Sequence, residues 1–156
     1  MPSLENITVI IVTYFTQKEI LINCLKSIDN RVKIKIVENS QNFEFKNEIL
    51  SNFDNVEIIC TDENLGYGKG NNFGLKLTKT EYALILNPDL ICDSEFFFNI
   101  IKVLESAKDF SIIGCQYKKD RIFLPAGFFD KKQNQKFSKK FKNEKIDDLE
   151  KVDWVT

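Results

Sequence analysis

Five short, largely apolar runs recur along the chain as far as Cys115, and helical or glycine-bearing stretches separate them. They are Ile7–Val12, Val32–Val37, Val56–Cys60, Tyr82–Leu86 and Phe110–Cys115. Tyr82–Leu86 is apolar at every position and so has no polar face to turn to water; it reads as a strand buried on both faces. Between the runs the period changes. Residues 17–29 place Ile20, Leu21, Cys24, Leu25 and Ile28 at helical spacing. Residues 44–52, with Phe45, Ile49 and Leu50 followed by Phe53, form a shorter second helix. The glycine-rich stretch from Asn64 to Leu75 runs into a helix near Leu77, and Asp93 or Ser94 caps another through about Ala107, with Phe96, Phe97, Ile100, Ile101 and Leu104 on its buried side. Strand and helix alternating in this way predict an α/β fold, a mostly parallel sheet with right-handed crossovers and helices on both faces.

The alternation stops after Tyr117. Residues 1–117 are the expected α/β core, and residues 118–156 add to the same domain an edge strand at Arg121–Leu124, a loop and the start of another strand at Val152–Thr156. The segment 131–145 carries seven Lys and few apolar residues, so a mobile loop is expected. Its functional reading is attraction to the phosphates of an anionic lipid or lipid-linked acceptor, hence peripheral membrane contact; a solvated loop is the plainer reading.

Composition excludes several chemistries. A net charge of −1 gives no field for nucleic acid. The absence of His removes His-dependent triads and His-ligated zinc sites. Cys24, Cys60, Cys92 and Cys115 match no zinc spacing and read as buried free thiols in a reducing cytosol. No run reaches membrane-span length and no signal peptide opens the chain, so the expected location is cytoplasmic, with the inner face of the membrane as its extension.

In an open parallel sheet, ligands sit in the crevice outside the carboxyl ends of the strands. Four strand ends bring polar groups to that rim: Thr13-Tyr14, Glu38-Asn39-Ser40, the loop from Asp62 to Gly74, and Asn87-Pro88-Asp89. Pro88 ends the fourth strand because it has no N–H to give the ladder. Asp89 is the first carboxylate after that stop, a hard oxygen ligand suited to Mg²⁺ or Mn²⁺ and, through the metal, to a phosphate. Alone, Asn-Pro-Asp is also an ordinary turn.

In this order the segments Ile11-Val12-Thr13-Tyr14, Val37-Glu38-Asn39-Ser40, Asn64–Gly74 and Leu86-Asn87-Pro88-Asp89-Leu90 resemble the nucleotide-sugar-binding half of the family 2 glycosyltransferases, which have the GT-A fold. The resemblance spans nearly the whole chain from Ile7 and is greatest to the rhamnosyltransferase-like branch, where Asn-Pro-Asp stands in for Asp-x-Asp. It implies metal-assisted, inverting transfer of a sugar from a UDP- or dTDP-sugar to a saccharide or lipid-linked acceptor in cell-surface polysaccharide synthesis. Thr13 and Tyr14 then border the base and ribose. Glu38 falls where the family usually has Asp, and its carboxylate accepts the N3–H of uracil or thymine. Gly66 and Gly68 let backbone approach a bulky ligand, while Asn64 and Asn72 hold the loop or reach the sugar or diphosphate. Lys69 meets phosphate or stays in solvent. Asn87 replaces the first carboxylate, and Asp89 carries most of the metal's charge balance. The general base is expected beyond Thr156. The chain is thus expected to be the donor-binding half, C-terminally incomplete and inactive alone, with an open edge near Trp154 that favours self-association.

Three other functions fit less well. In a dinucleotide-binding oxidoreductase the glycine fingerprint directly follows the first strand; here Gly68-Lys69-Gly70 follows the third. A nucleotidyltransferase also needs its basic glycine-rich loop after the first strand, where this chain has Thr13-Tyr14-Phe15. A non-catalytic nucleotide-sugar-binding module or inactive remnant uses the same fold and is the main alternative.

Overall fold

A computed structural model describes residues 1–107, 110 and 112–114 with their side chains, together with the backbone of five short strands beyond them. The first strand, β1 (Ile7–Thr13), is buried at every position. Successive side chains of a strand point to opposite faces, so both faces of the sheet are covered at β1. The chain then alternates as the sequence predicts: α1 (Lys18–Lys26), β2 (Lys33–Glu38), α2 (Lys46–Asn52), β3 (Val56–Cys60), α3 (Gly66–Leu77), β4 (Tyr82–Ile85) and α4 (Phe96–Ser106). The four strands form a parallel sheet in the order β3-β2-β1-β4. From β1 the chain steps outward through β2 to β3, then crosses back to pair β4 on the other side of β1. The order therefore reverses beside β1, and loops leaving the strands there diverge and open a crevice. By contacts the chain divides into two compact units, Met1–Lys102 and Val103–Thr156.

Three expectations for the residues up to Gly114 are corrected. The glycine-rich stretch is not a loop leading to a helix: it is helix from Gly66 onward. Each helical Gly costs about 1 kcal/mol relative to Ala, but at two positions close packing requires it. A Cβ on Gly74 would stand 2.6 Å from Ile10 Cγ2, and one on Gly70 would stand 3.0 Å from Val12 Cγ1. Glycine thus lets α3 lie directly on β1 and β2. Gly66 alone of the glycines in α3 uses a left-handed backbone, with φ 70°, to turn the chain into the helix.

Second, β4 is not buried on both faces. It is one of the two outer strands of the four, and its residues alternate half-buried and exposed, with Ile85 45% exposed and Leu86 buried just beyond the strand. Third, Phe110 and Ile112–Gly114 are not in a strand; Ser111 and Cys115 lie outside the described residues. A strand is made by its partner's hydrogen bonds and not by apolarity alone. Cys24 and Cys60 are free thiols, as expected, but of the described cysteines only Cys24 is buried. Cys92 is half-buried, and Cys60 ends the outer strand β3 exposed. Cys115 is not among the described residues.

In the second unit, β5 (Tyr117–Lys119) pairs antiparallel with β6 (Ile122–Leu124), within the predicted edge strand. β7 (Phe128–Asp130) pairs antiparallel with both β8 (Gln135–Phe137) and β9 (Trp154–Val155). β9 falls in the predicted terminal strand. β8 falls inside the Lys-rich segment expected to be a loop, and the rest of that segment lies outside the described residues. No helix among the described residues is long and apolar enough to cross a membrane.

Candidate functional site

The parallel register sets Thr13 of β1 beside Glu38 of β2, and Glu38 beside Cys60 of β3. The ladder carries on past the strand ends. Asn39 donates its N–H to the Thr13 carbonyl at 2.9 Å, and Thr61 donates to the Glu38 carbonyl at 3.0 Å. Glu38 is therefore held on a rigid rim. Its carboxylate is only 1% exposed, a position that costs several kcal/mol unless the charge is satisfied. Two donors satisfy it: the Thr13 hydroxyl gives to Oε2 at 2.7 Å, and the Ser40 N–H gives to Oε1 at 2.6 Å. Thr13, itself buried, thus positions Glu38 from the neighbouring strand.

Above the carboxylate lies a cavity of about 210 Å³, walled by Phe15, Phe43 and Phe45 with Ser40 and Asn42. Phe43 and Phe45 pack ring to ring with centroids 4.5 Å apart, and Tyr14, exposed, sits edge-on to Phe15 at 4.7 Å. The two loops bounding this cavity hold the two non-glycine residues with positive φ among the described residues, Phe15 (48°) and Gln41 (62°). The sequence patterns that point to Glu38 give no sign of the aromatic walls: Phe45 reads there as part of the second helix, and Phe43 belongs to no motif.

On the other side of β1, the turn after β4 is pinned by its backbone. Leu86 donates to the Ile10 carbonyl at 3.0 Å, and Leu90 donates to the Asn87 carbonyl at 3.2 Å, closing the Asn87-Pro88-Asp89-Leu90 turn. Pro at the second position suits such a turn. The Cys24 thiol approaches the same Asn87 carbonyl at 3.7 Å. Burial, then Cys92, then the Asp89 charge push that thiol up to about 12. Asn87 and Asp89 are both exposed, and the Tyr67 hydroxyl donates to Asn87 Oδ1 at 2.7 Å.

The structure places the glycine-segment residues in different settings. Asn64 holds the turn, since its Oδ1 accepts the Gly66 N–H at 2.8 Å. Gly68 has open space around the position a Cβ would take. Asn72 and Lys69 are exposed. The buried face of α3 carries Gly70, Asn71 and Gly74, and Asn71 Oδ1 is buried without a partner. Asn39, also buried, reaches the Gly66 carbonyl with its Nδ2 at 3.5 Å and ties β2 to the start of α3. No sequence motif singles out Asn71 or Tyr67; their spacing of four, one helical turn, on the side of Gly74 is the available signal.

No group of three or more potential metal ligands forms among the described residues. A single exposed carboxylate still fits Mg²⁺, which dehydrates reluctantly and is commonly held by one or two carboxylates plus substrate phosphates. Asp89 is the residue that would hold it.

The chain belongs to glycosyl transferase family 2, whose sequence profile matches residues 8–151. It is 29% identical over 114 residues to a low-salt glycan biosynthesis hexosyltransferase of Haloferax volcanii, covering 70% of this chain and 36% of that protein. It is 30% identical over 88 residues to a teichoic acid poly(glycerol phosphate) polymerase of Staphylococcus epidermidis, covering 51% of this chain and 12% of that one. The chain thus spans little more than a third of the first relative's length and far less of the second's. Among solved structures, S. aureus TarS 1–349 superposes with a TM-score of 0.57 at 17% identity, over 80% of this chain and 41% of that one. A second TarS structure gives 0.55 at 19% identity, over 64% and 19%. The fold is GT-A, as the strand-end motifs imply.

Proposed function

We propose that the chain binds the donor of a glycosyltransferase, a UDP- or dTDP-sugar, for metal-assisted, inverting transfer to a saccharide or lipid-linked acceptor of a cell-surface glycan. The observation that carries this reading is Glu38, a buried carboxylate fixed by Thr13 and Ser40 beneath a cavity with aromatic walls. Each carboxylate oxygen has spare acceptor capacity after its one internal bond. A planar base entering between the rings can stack on them and present a ring N–H to that carboxylate. Uracil and thymine carry such an N3–H; adenine does not. Asp89 would hold Mg²⁺ or Mn²⁺, which supplies charge stabilisation to the diphosphate leaving group. Tyr14, edge-on to the cavity residue Phe15 and exposed, would border the base or ribose. The names of the two curated relatives support the coarse substrate class, a glycan or teichoic acid polymer. Asn87 in place of a carboxylate points, within the family, toward the rhamnosyltransferase-like branch.

Calorimetric titration of UDP, dTDP and ADP with Mn²⁺ present tests the base assignment. A site built to pair an N–H rejects a ligand lacking it, because its buried acceptor stays unpaired. UDP or dTDP should bind at least ten-fold tighter than ADP, about 1.4 kcal/mol, and Glu38→Gln should close most of that gap. If ADP binds the wild type as well as UDP does, the assignment of Glu38 fails.

A further inference from the structure

We infer that Tyr67 is a positioning residue: its phenol fixes the orientation of the Asn87 amide, so that Asn87 offers N–H donors to the donor's diphosphate and not an oxygen to the metal. The inference rests on the donor-site reading above.

Both ends of the Tyr67–Asn87 contact are anchored. Tyr67 is the second residue of α3, and that helix is seated on β1 and β2 through Gly70 and Gly74. Its first turn is held by Asn64, which accepts the Gly66 N–H, and by Asn39, which donates to the Gly66 carbonyl. Asn87 is fixed by Pro88 and by the bonds its carbonyl accepts from Leu90 and Cys24. Between these two rigid points the Tyr67 hydroxyl spans 2.7 Å to Asn87 Oδ1. A carboxamide carries its oxygen on one side and its NH₂ on the other. With the oxygen given to Tyr67, the two N–H groups face away from the phenol on an exposed side chain, two residues before Asp89.

The chemistry of that pair complements an anion bridged by a cation. The carboxylate meets the metal, and the amide N–H groups meet phosphate oxygen. Relative to two carboxylates, the turn carries one negative charge fewer and one donor group more, so it repels a diphosphate less when no metal is present. A carboxylate is symmetric and needs no such orientation. The Tyr67 hydroxyl should therefore matter with Asn at position 87 and cease to matter with Asp there.

The test is a four-protein cycle: wild type, Tyr67→Phe, Asn87→Asp and the double variant, each titrated with UDP in Mn²⁺ and in chelator. Both side chains are exposed, and Tyr67→Phe removes a single oxygen, so thermal melts should coincide. Tyr67→Phe is expected to weaken UDP about five-fold, the worth of one hydrogen bond. Asn87→Asp is expected to weaken it about ten-fold in chelator and less in Mn²⁺. Tyr67→Phe should then cost nothing further in the Asn87→Asp background, a coupling that a merely structural tyrosine would not show. Equal cost in both backgrounds, or Asn87→Asp binding UDP with Mn²⁺ more tightly than wild type, overturns the inference and leaves the donor reading standing. A wild type that binds neither UDP nor dTDP overturns the donor reading, and this inference falls with it.

Discussion

Alanine substitution at Gly68 and Gly74 separates the two jobs that glycine does in α3. Both sites lie inside the same helix, and Ala is favoured over Gly in a helix by about 0.8–1 kcal/mol. At Gly68 that is the whole effect on the fold, since an added Cβ meets nothing within 4 Å. At Gly74 the new Cβ falls 2.6 Å from Ile10 Cγ2 and 3.4 Å from Val37 Cγ2. Carbon atoms are most favourably about 3.5–4.0 Å apart, so the overlap with Ile10 is roughly 1 Å. Ile10 cannot turn aside: it is fully buried in the central part of the sheet, and its β-branched side chain is stiff at χ1. The helix must lift instead, at about 1–3 kcal/mol for overpacking. The propensity gain cancels between the two variants, so their difference is the overpacking alone. Urea melts followed by circular dichroism should put Gly74→Ala about 1–3 kcal/mol below Gly68→Ala, with Gly68→Ala above wild type. Agreement of the two variants within about 0.5 kcal/mol would show that α3 does not depend on close contact with β1. Gly68→Ala should also bind UDP more weakly despite its firmer fold, because the space the methyl fills is not used by the protein itself.

Asp89→Asn should lower UDP affinity ten-fold or more in Mn²⁺, about 1.4 kcal/mol, and leave it unchanged in chelator; equal affinity of wild type and variant under both conditions would remove Asp89 from the metal. Cys24 gives a pH prediction, because burial, with Cys92 and Asp89 behind it, raises its thiol from near 9.0 to about 12 in the fold. The unfolded chain loses that proton first, so the stability is intact below about pH 9 and falls as pH rises toward 12, by at most about 1.4 kcal/mol per pH unit. Urea midpoints above pH 9 should fall more steeply for wild type than for Cys24→Ala, and iodoacetamide near neutrality should label exposed Cys60 well before Cys24.

The parts of the fold legible in the sequence are those where one local signal meets no competitor. Ile7–Thr13 is β-branched and unbroken, and it is the fully buried strand. Lys18–Lys26 keeps a helical spacing, and it is α1. α3 is not legible in the same way because glycine argues against a helix locally, whereas the reason for glycine there lies in Ile10 and Val12, more than fifty residues earlier in the chain. The exposure of β4 is hidden for a related reason. The apolar run Tyr82–Leu86 does not reveal whether a further strand pairs its outer edge, and among the described residues none does.

At the site, the sequence marked which residues stand at the strand ends, and the structure determines what each touches. Glu38 and Asp89 lie on the rim as expected, but one is buried and doubly bonded while the other is exposed. A loop reading gives Asn71 and Asn72 no distinct faces; in the helix, Asn71 turns inward beside Gly70 and Gly74 while Asn72 is exposed. Nothing in the sequence signals the backbone of Phe15 and Gln41. Left-handed backbone at a residue with a Cβ costs roughly 1–2 kcal/mol, and glycine at either position would remove that cost. At Phe15, however, glycine would also remove a wall of the Glu38 cavity. The chain keeps a strained phenylalanine there and a second strained residue on the facing loop. Strain of this kind gathers where geometry serves a ligand rather than the fold. Phe15 lines the Glu38 cavity itself, and Gln41 sits between two residues that do, Ser40 and Asn42; that both instances among the described residues fall in the loops around this cavity is an argument, independent of any motif, for it as the place where the base sits.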